Sequence, residues 1–172
     1  MKAIVRLLSA LAILLASPAT SQDASLEPSF GNVTLSSEFQ PDPRTALAMA
    51  GGSINLTDTV AGCLGFISQK PALRLVYSAN QSPSTFPLFI HAFSESDTTI
   101  LVKAPDGEWY CNDDGFNSPN PMLIFAPPMS GEYSIWLGTF EAGDRYPAIV
   151  AFSEVGADIT GLQAELSREV GR

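Results

Sequence analysis

Apolar and polar residues alternate with a period of two along most of this chain. In the segment 73–79, for example, Leu73, Leu75 and Tyr77 occupy every second position. Alternation over four to eight residues is the pattern of a β-strand with one buried face. Strands are predicted at residues 33–39, 46–50, 53–57, 64–68, 73–79, 86–93, 98–104, 122–125, 133–140 and 148–153. Turn residues separate them, so the pattern predicts an all-β fold, an antiparallel β-sandwich or jelly roll of about nine to ten strands.

Helical periodicity occurs in the C-terminal part, residues 155–172. Ile159, Leu162, Leu166 and Val170 share one face at helical spacing, and either Asp158 or Thr160 can cap the start. This part is predicted to be a tail or a short helix.

The first 21 residues have the organisation of a secretory signal peptide. Lys2 and Arg6 precede the apolar run 7–16, and small residues with one proline follow at 17–22. The run is shorter than the roughly 20 residues that span a bilayer. We therefore expect residues 1–21 to be removed on export, leaving a periplasmic or secreted chain with no transmembrane segment.

The rest of the chain divides into three parts by composition. Residues 22–32 are polar and are predicted to form a flexible lead-in, residues 33–154 the sandwich domain, and residues 155–172 the tail. A single domain fits a chain of this length.

The net charge of the chain indicates which classes of partner it favours. The 172 residues carry 9 basic and 18 acidic side chains. Removing the signal peptide takes away two basic residues, so the net charge changes from −9 to 7 − 18 = −11. This balance disfavours nucleic acid and anionic lipid as partners and favours cations.

Two cysteines, Cys63 and Cys111, remain after export. An even number of cysteines in an oxidising compartment predicts one disulfide, while two buried free thiols are the alternative. The spacing contains no CxxC motif of the kind found in redox or zinc sites.

A cluster of oxygen-bearing side chains adjoins Cys111 and indicates a candidate calcium site. Calcium takes six to eight oxygen ligands from carboxylates, amides and carbonyls. The alternative is a solvated acidic turn whose Asn and Asp side chains bind their own backbone. The candidate ligands are Asp106, Asn112, Asp113, Asp114 and Asn120, with Asp97 as a further candidate.

The same region carries a family resemblance. Asp97 opens a strand, Pro105-Asp106-Gly107 forms a turn, an acidic loop follows, and Ser130-Gly131-Glu132-Tyr133 leads into an aromatic strand. This layout resembles the bacterial pre-peptidase C-terminal domain, and still more closely small exported proteins that consist of little else. The resemblance implies a compact β-sandwich that accompanies secreted proteases, is sometimes calcium-stabilised and has no catalytic residues. We expect no protease domain before it here, so peptidase activity does not follow.

The residues themselves favour a binding protein over an enzyme. His91 is the single histidine, and no Gly-x-Ser-x-Gly motif surrounds a serine nucleophile. We predict a non-catalytic accessory or binding protein of the cell envelope, with an unidentified protein or carbohydrate ligand and no cofactor other than Ca²⁺. Trp109 and Phe116 flank the acidic loop and are the candidate ligand-facing aromatics. The alternative is a secreted hydrolase, a glycosidase or peptidase, that uses two surface carboxylates.

Overall fold

The computed structural model describes residues 21–80, 86–115, 119–156 and 158–171. It is an all-β sandwich of two sheets with one C-terminal helix, as the sequence predicts. The signal peptide predicted at 1–21 falls outside these ranges except for its last residue. None of the helices in the described ranges is long and apolar enough to cross a membrane.

Within the described residues, eleven strands and one α-helix follow one another along the chain. A 3-10 turn, Leu56–Asp58, stands between the third and fourth strands. The elements are β1 (Asn32–Ser36), β2 (Arg44–Ala50), β3 (Ile54–Asn55), β4 (Phe66–Ile67), β5 (Leu73–Ser78), β6 (Leu88–Phe93), β7 (Thr98–Lys103), β8 (Trp109–Asn112), β9 (Met122–Phe125), β10 (Gly131–Thr139), β11 (Tyr146–Ser153) and α1 (Ile159–Val170).

Strand β10 is the centre of the first sheet. Its first half pairs with β5, its end pairs with β4, and β7 lies along its other side. Strand β8 extends the sheet beyond β7, β3 beyond β4, and β1 beyond β5. The β1–β5 pair is parallel, whereas the other described pairs are antiparallel. The second sheet has the order β2-β11-β6-β9.

The main core fills the space between the two sheets. Alternate residues of β10, Tyr133, Ile135 and Leu137, face it from the first sheet, and Val150 and Phe152 face it from the second. All five are at most 1% exposed. Burying each large apolar side chain contributes roughly 1.5–3 kcal/mol, so this layer is the principal source of stability.

A second core covers the outer face of the first sheet. The segment 54–63 folds over β10, so that Leu56 and Cys63 pack against Trp136 and Leu101. Trp136 is 0% exposed, and its indole Nε1 donates a hydrogen bond to the Gln69 carbonyl. Both faces of β10 are therefore buried.

Helix α1 covers part of the outer face of the second sheet. Leu162 and Leu166 pack on Phe93, Ile149 and Ala151. The helix begins at the N-cap Asp158, whose carboxylate accepts the amide hydrogens of residues 160 and 161, and the Thr45 hydroxyl on β2 donates to Glu165 at 2.6 Å. These contacts explain why the C-terminal pattern forms a helix.

Strand β8 is not among the strands predicted from the sequence, which placed Asn112 in the acidic loop. Trp109 and Cys111 face the second core, while Tyr110 faces the main core and meets Phe125 edge-on with ring centroids 5.3 Å apart. Asn112 lies in the strand, opposite Ile100. The acidic loop is therefore shorter than predicted and begins at Asp113.

The predicted lead-in, 22–32, follows the edge of the second core. The amide N–H groups of Asp23, Ser29 and Phe30 donate to the carbonyls of residues 69, 71 and 72. The Arg74 guanidinium donates to the Ala24 carbonyl at 2.7 Å and to the Leu26 carbonyl at 3.0 Å. These bonds determine the path of the segment across the sheet.

A buried polar cluster lies at the end of the sandwich where β1 and β11 finish. Glu154 is 5% exposed, and its carboxylate accepts hydrogen bonds of 2.7 Å from the Tyr77 hydroxyl and the Glu38 amide. Its own amide donates to Asp42 at 2.9 Å. Burial raises the pKa of Tyr77 to about 12; the hydrogen bond with Ser37 opposes the shift and Glu154 adds to it. The tyrosine therefore stays protonated and remains a donor to Glu154.

Candidate functional site

Three connections meet at the other end of the sandwich, which we call the acidic end. They are residues 94–97 between β6 and β7, 113–121 between β8 and β9, and 140–145 between β10 and β11. The pairings Thr139↔Thr98 and Ile149↔Phe93 place the first beside the third. Arg145 is the one basic residue in these connections, against the acidic residues Glu95, Asp97, Asp113, Asp114, Glu141 and Asp144.

The pKa of Asp97 is affected by the negative charges at the acidic end. Its pKa is raised, first by partial burial and then by the charges of Asp114 and Asp113, while a hydrogen bond from the Thr98 backbone opposes the shift. A nearby negative charge raises the pKa of a carboxyl group because it disfavours the charged form. A bound cation would reverse this effect.

Two of the predicted ligands, Asn112 and Asn120, shape the loop through hydrogen bonds. The Asn112 side-chain oxygen accepts the Asp113 amide at 3.0 Å and the Asp114 amide at 3.3 Å, and its Nδ2 donates to the Met122 carbonyl at 2.9 Å. The buried Asn120 accepts the Ser94 amide at 2.7 Å, which joins the loop to the β6–β7 connection. Asn112 thus makes the self-capping interaction that the sequence allowed as an alternative to metal binding.

Asp106 lies away from the acidic end. It sits in the β7–β8 turn, beyond the Lys103↔Trp109 pair, whereas Asp113 follows Asn112 at the opposite end of the strand. A four-residue strand separates the two by roughly 10 Å or more. The Asp106 carboxylate accepts from the Tyr110 hydroxyl at 2.7 Å and from the Glu108 amide at 3.0 Å, and these bonds lower its pKa. The structure therefore does not bring Asp106 together with Asp113 and Asp114.

The remaining carboxylates do not form a preassembled metal centre. Within residues 21–80, 86–115, 119–156 and 158–171, no group of three or more His, Cys, Asp or Glu side chains is arranged to hold a metal ion. The candidate calcium site of the sequence stays a prediction.

The predicted disulfide is present between Cys63 and Cys111. Cys63 is 3% exposed in the second core, and Cys111 lies on β8 opposite Leu101. The bond ties the segment covering the first sheet to the strand that leads into the acidic loop. A shallow cleft of about 80 Å³ adjoins it, lined in part by Asn112 and Asp113.

The structure describes one of the two candidate ligand-facing aromatics, Trp109, but not the other, Phe116. Trp109 is half-buried; its ring packs on Trp136 with centroids 5.4 Å apart, and the Lys103 ammonium lies 5.6 Å from its centroid. Only part of the ring is therefore accessible to a ligand. Phe116 lies outside the described residues.

His91 is buried on the outer face of the second sheet, as a packed strand histidine would be. It is 4% exposed, and its ring nitrogens have no hydrogen-bonding partner of good geometry among the described residues. A Cβ placed on Gly115 would lie 3.9 Å from Nε2, so the loop after β8 covers the ring. Burial lowers the pKa of His91, and the backbone of Asn120 opposes the shift.

Two larger clefts open on the described surface. One, of about 380 Å³, lies between the C-terminal turn of α1 and the 94–96 and 146–147 segments, and includes Glu95. The other, of about 360 Å³, lies beside the β7–β8 turn and includes Glu132, whose carboxylate is 2.9 Å from Arg74 Nε. Each contains a single carboxylate.

Sequence reasoning did not combine Glu95, Glu141 and Asp144 with the predicted calcium loop. They are distant along the chain and adjacent only through the pairing of β10 with β7 and of β11 with β6. No local signal in the sequence specifies those pairings.

Comparison with known proteins does not identify a family for this chain. The chain matches no protein-family model. No curated protein sequence matches it. Among solved structures it is similar to PliG of Aeromonas hydrophila, a periplasmic inhibitor of g-type lysozyme. The sequences are 16% identical, the match covers 72% of this chain and 96% of that one, and the TM-score is 0.33. A TM-score of this size does not establish a common fold.

Proposed function

We propose that the chain is an exported, non-catalytic accessory or binding protein of the cell envelope that presents its acidic end to a cationic partner. The observation that carries this proposal is the gathering of six carboxylates and one guanidinium in three adjacent connections. Such a surface attracts positive partners and accelerates their association. The resemblance of residues 97–139 to the pre-peptidase C-terminal domain supports an accessory role.

Export is supported by the Cys63–Cys111 disulfide. Disulfides form and persist in oxidising compartments such as the periplasm and the extracellular medium. The apolar run 7–16 of the sequence supports the same compartment.

A non-catalytic role is supported by the surroundings of the polar side chains. His91 is covered by the Gly115 loop and does not reach the surface as a general base would. Glycoside hydrolysis requires two carboxylates facing each other across a groove, but each of the two larger clefts includes one. The hydrolase alternative is therefore less well supported than binding.

A binding titration tests the proposed partner class. The exported, oxidised protein is titrated with a short poly-lysine peptide and with a folded cationic protein, at low and at physiological ionic strength. We expect binding that weakens with salt and is reduced in the double variant Asp113→Asn/Asp114→Asn. The matched control is Glu27→Gln/Glu108→Gln, which removes the same charge from two exposed positions. Glu108 lies in the β7–β8 turn, at the opposite end of β8 from Asp113, and Glu27 lies 4.0 Å from Arg74 on β5.

The control variant distinguishes an effect of the acidic end from an effect of net charge. Equal weakening in both double variants would attribute the binding to net charge alone and contradict a role for the acidic end. Absence of binding at low ionic strength would contradict a cationic partner altogether.

Calcium is a second candidate ligand of the same end, because the charges of Asp114 and Asp113 add to the effect of burial in raising the pKa of Asp97. A divalent cation near Asp97, Asp113 and Asp114 would remove the repulsion that raises this pKa. No three acidic, histidine or cysteine side chains in the described part of the chain are arranged to hold a metal ion, so binding is expected in the millimolar range.

Thermal melting with and without millimolar Ca²⁺ tests this candidate. We expect Ca²⁺ to raise the melting temperature of the parent protein and to leave that of Asp113→Asn/Asp114→Asn unchanged. An equal effect of Mg²⁺ would indicate screening by any divalent ion, and no response of the parent protein would refute calcium binding.

A further inference from the structure

Strand β2 forms a long open edge of the second sheet. It pairs with β11 over seven consecutive residues, from Arg44↔Phe152 to Ala50↔Tyr146, with no bulge. No described strand pairs with its other side. A strand pair of this length extends for roughly 23 Å, and each edge strand presents a row of unpaired backbone N–H and C=O groups.

Beyond the exposed Arg44 at its start, the β2 edge lacks the features that usually prevent pairing with another chain. Residues 45–50 read Thr-Ala-Leu-Ala-Met-Ala and contain no charge and no proline. Leu47 is 45% exposed on the outer face. Ala46 belongs to the main core but is only half-buried, so the sandwich is open beside it.

The other long edges of the sandwich are different. Strand β1 is shorter and carries the polar residues Asn32, Thr34 and Ser36. Strands β8 and β9 are joined across the sandwich by the bond from Asn112 Nδ2 to the Met122 carbonyl. Strand β2 is thus the described edge best suited to accept a new strand.

The pattern of side chains along β2 fits a second copy of the same strand. In an antiparallel pair centred on Leu47, Thr45 would lie opposite Met49 of the other copy, and Ala46 opposite Ala48. The core-facing positions next to the two-fold axis are then all alanine, which lets the backbones approach. The strand itself contains no acidic residue, and the carboxylate that contacts it, that of Glu165 on α1, accepts a hydrogen bond from the Thr45 hydroxyl.

We propose that two copies of the chain associate through their β2 strands, forming one continuous eight-stranded sheet from two second sheets. The interface is isologous, with Leu47 at its centre. This proposal is independent of the cationic partner, since β2 lies on the side of the sheet and not in the connections of the acidic end.

Sedimentation velocity of the exported, oxidised protein, from about 1 µM to about 1 mM, tests the proposal. We expect a concentration-dependent dimer. Leu47→Lys places like charges opposite each other and should weaken association by at least about tenfold. The matched control is Ile124→Lys, because Ile124 is 51% exposed on β9 in the same sheet and should leave the dimer intact.

Disulfide trapping locates the contact. Residues directly opposite in an antiparallel pair have Cβ atoms about 4.5–5.5 Å apart, so Leu47→Cys should form a covalent dimer, whereas Ile124→Cys should not. A protein that stays monomeric at the highest concentration would overturn the proposal. So would a dimer that Leu47→Lys and Ile124→Lys weaken equally.

Discussion

Removing the disulfide by the double variant Cys63→Ala/Cys111→Ala is expected to lower the free energy of unfolding by roughly 4 kcal/mol at about 25 °C. The two cysteines are 48 residues apart in sequence. Closing a loop of this length restricts the unfolded chain, and the chain-entropy model converts that restriction into the stated value. For a domain of this size, the melting temperature should fall by roughly 8–16 °C.

Urea unfolding followed by circular dichroism measures the loss, and calorimetry measures the change in melting temperature. The reduced parent protein is the control, because it loses the cross-link but keeps both sulfur atoms in the second core. Similar losses in the reduced protein and the double variant would attribute the effect to the cross-link. A double variant that stays within about 1 kcal/mol of the oxidised protein would refute the chain-entropy reasoning.

Four other substitutions probe the structure. Burial keeps the pKa of His91 below its ordinary value of 6.5, so the unfolded chain takes up a proton that the folded chain does not. The parent protein should therefore lose stability as pH falls from about 7 to about 5, and His91→Gln should show a weaker dependence in urea unfolding at both pH values. Gly52→Ala would drive a Cβ into the backbone of β4 and should cost more than about 3 kcal/mol in the same assay. The control Gly161→Ala, on α1, would place a Cβ 3.5 Å from the Asp158 carboxylate, an ordinary contact distance, and should be neutral or stabilising. Tyr77→Phe removes a donor to the buried Glu154 carboxylate and should cost about 2 kcal/mol, and equal stability would show that the bond contributes little.

The sequence predicts the two-sheet fold because most of its strands keep a clear alternation between turn residues. Strand β8 was missed because Asn112-Asp113-Asp114 resembles a turn by composition, although Trp109 and Cys111 alternate with Tyr110 as strand residues do. The burial of both faces of β10 could not be read from its own residues either. It depends on the segment 54–63, which folds over Trp136.

The candidate site also shows that spacing along the sequence does not determine which residues are close in the fold. Local spacing correctly placed Asp113, Asp114 and Asn120 in one connection. Local spacing also groups Asp106 with them, but the short strand β8 separates Asp106 from Asp113 and Asp114 in space. The contribution of Glu141 and Asp144 follows from strand order, which no local pattern encodes.

The composition of the second core has a spectroscopic consequence. Both tryptophans of the chain lie there, next to each other and in the same cluster as Cys63 and Cys111. A disulfide in contact with an indole quenches its fluorescence by accepting an electron from the excited ring. The intrinsic fluorescence of this protein should therefore report on the second core, which covers the first sheet, rather than on the main core. The fluorescence should increase when the disulfide is reduced, even before the sandwich unfolds.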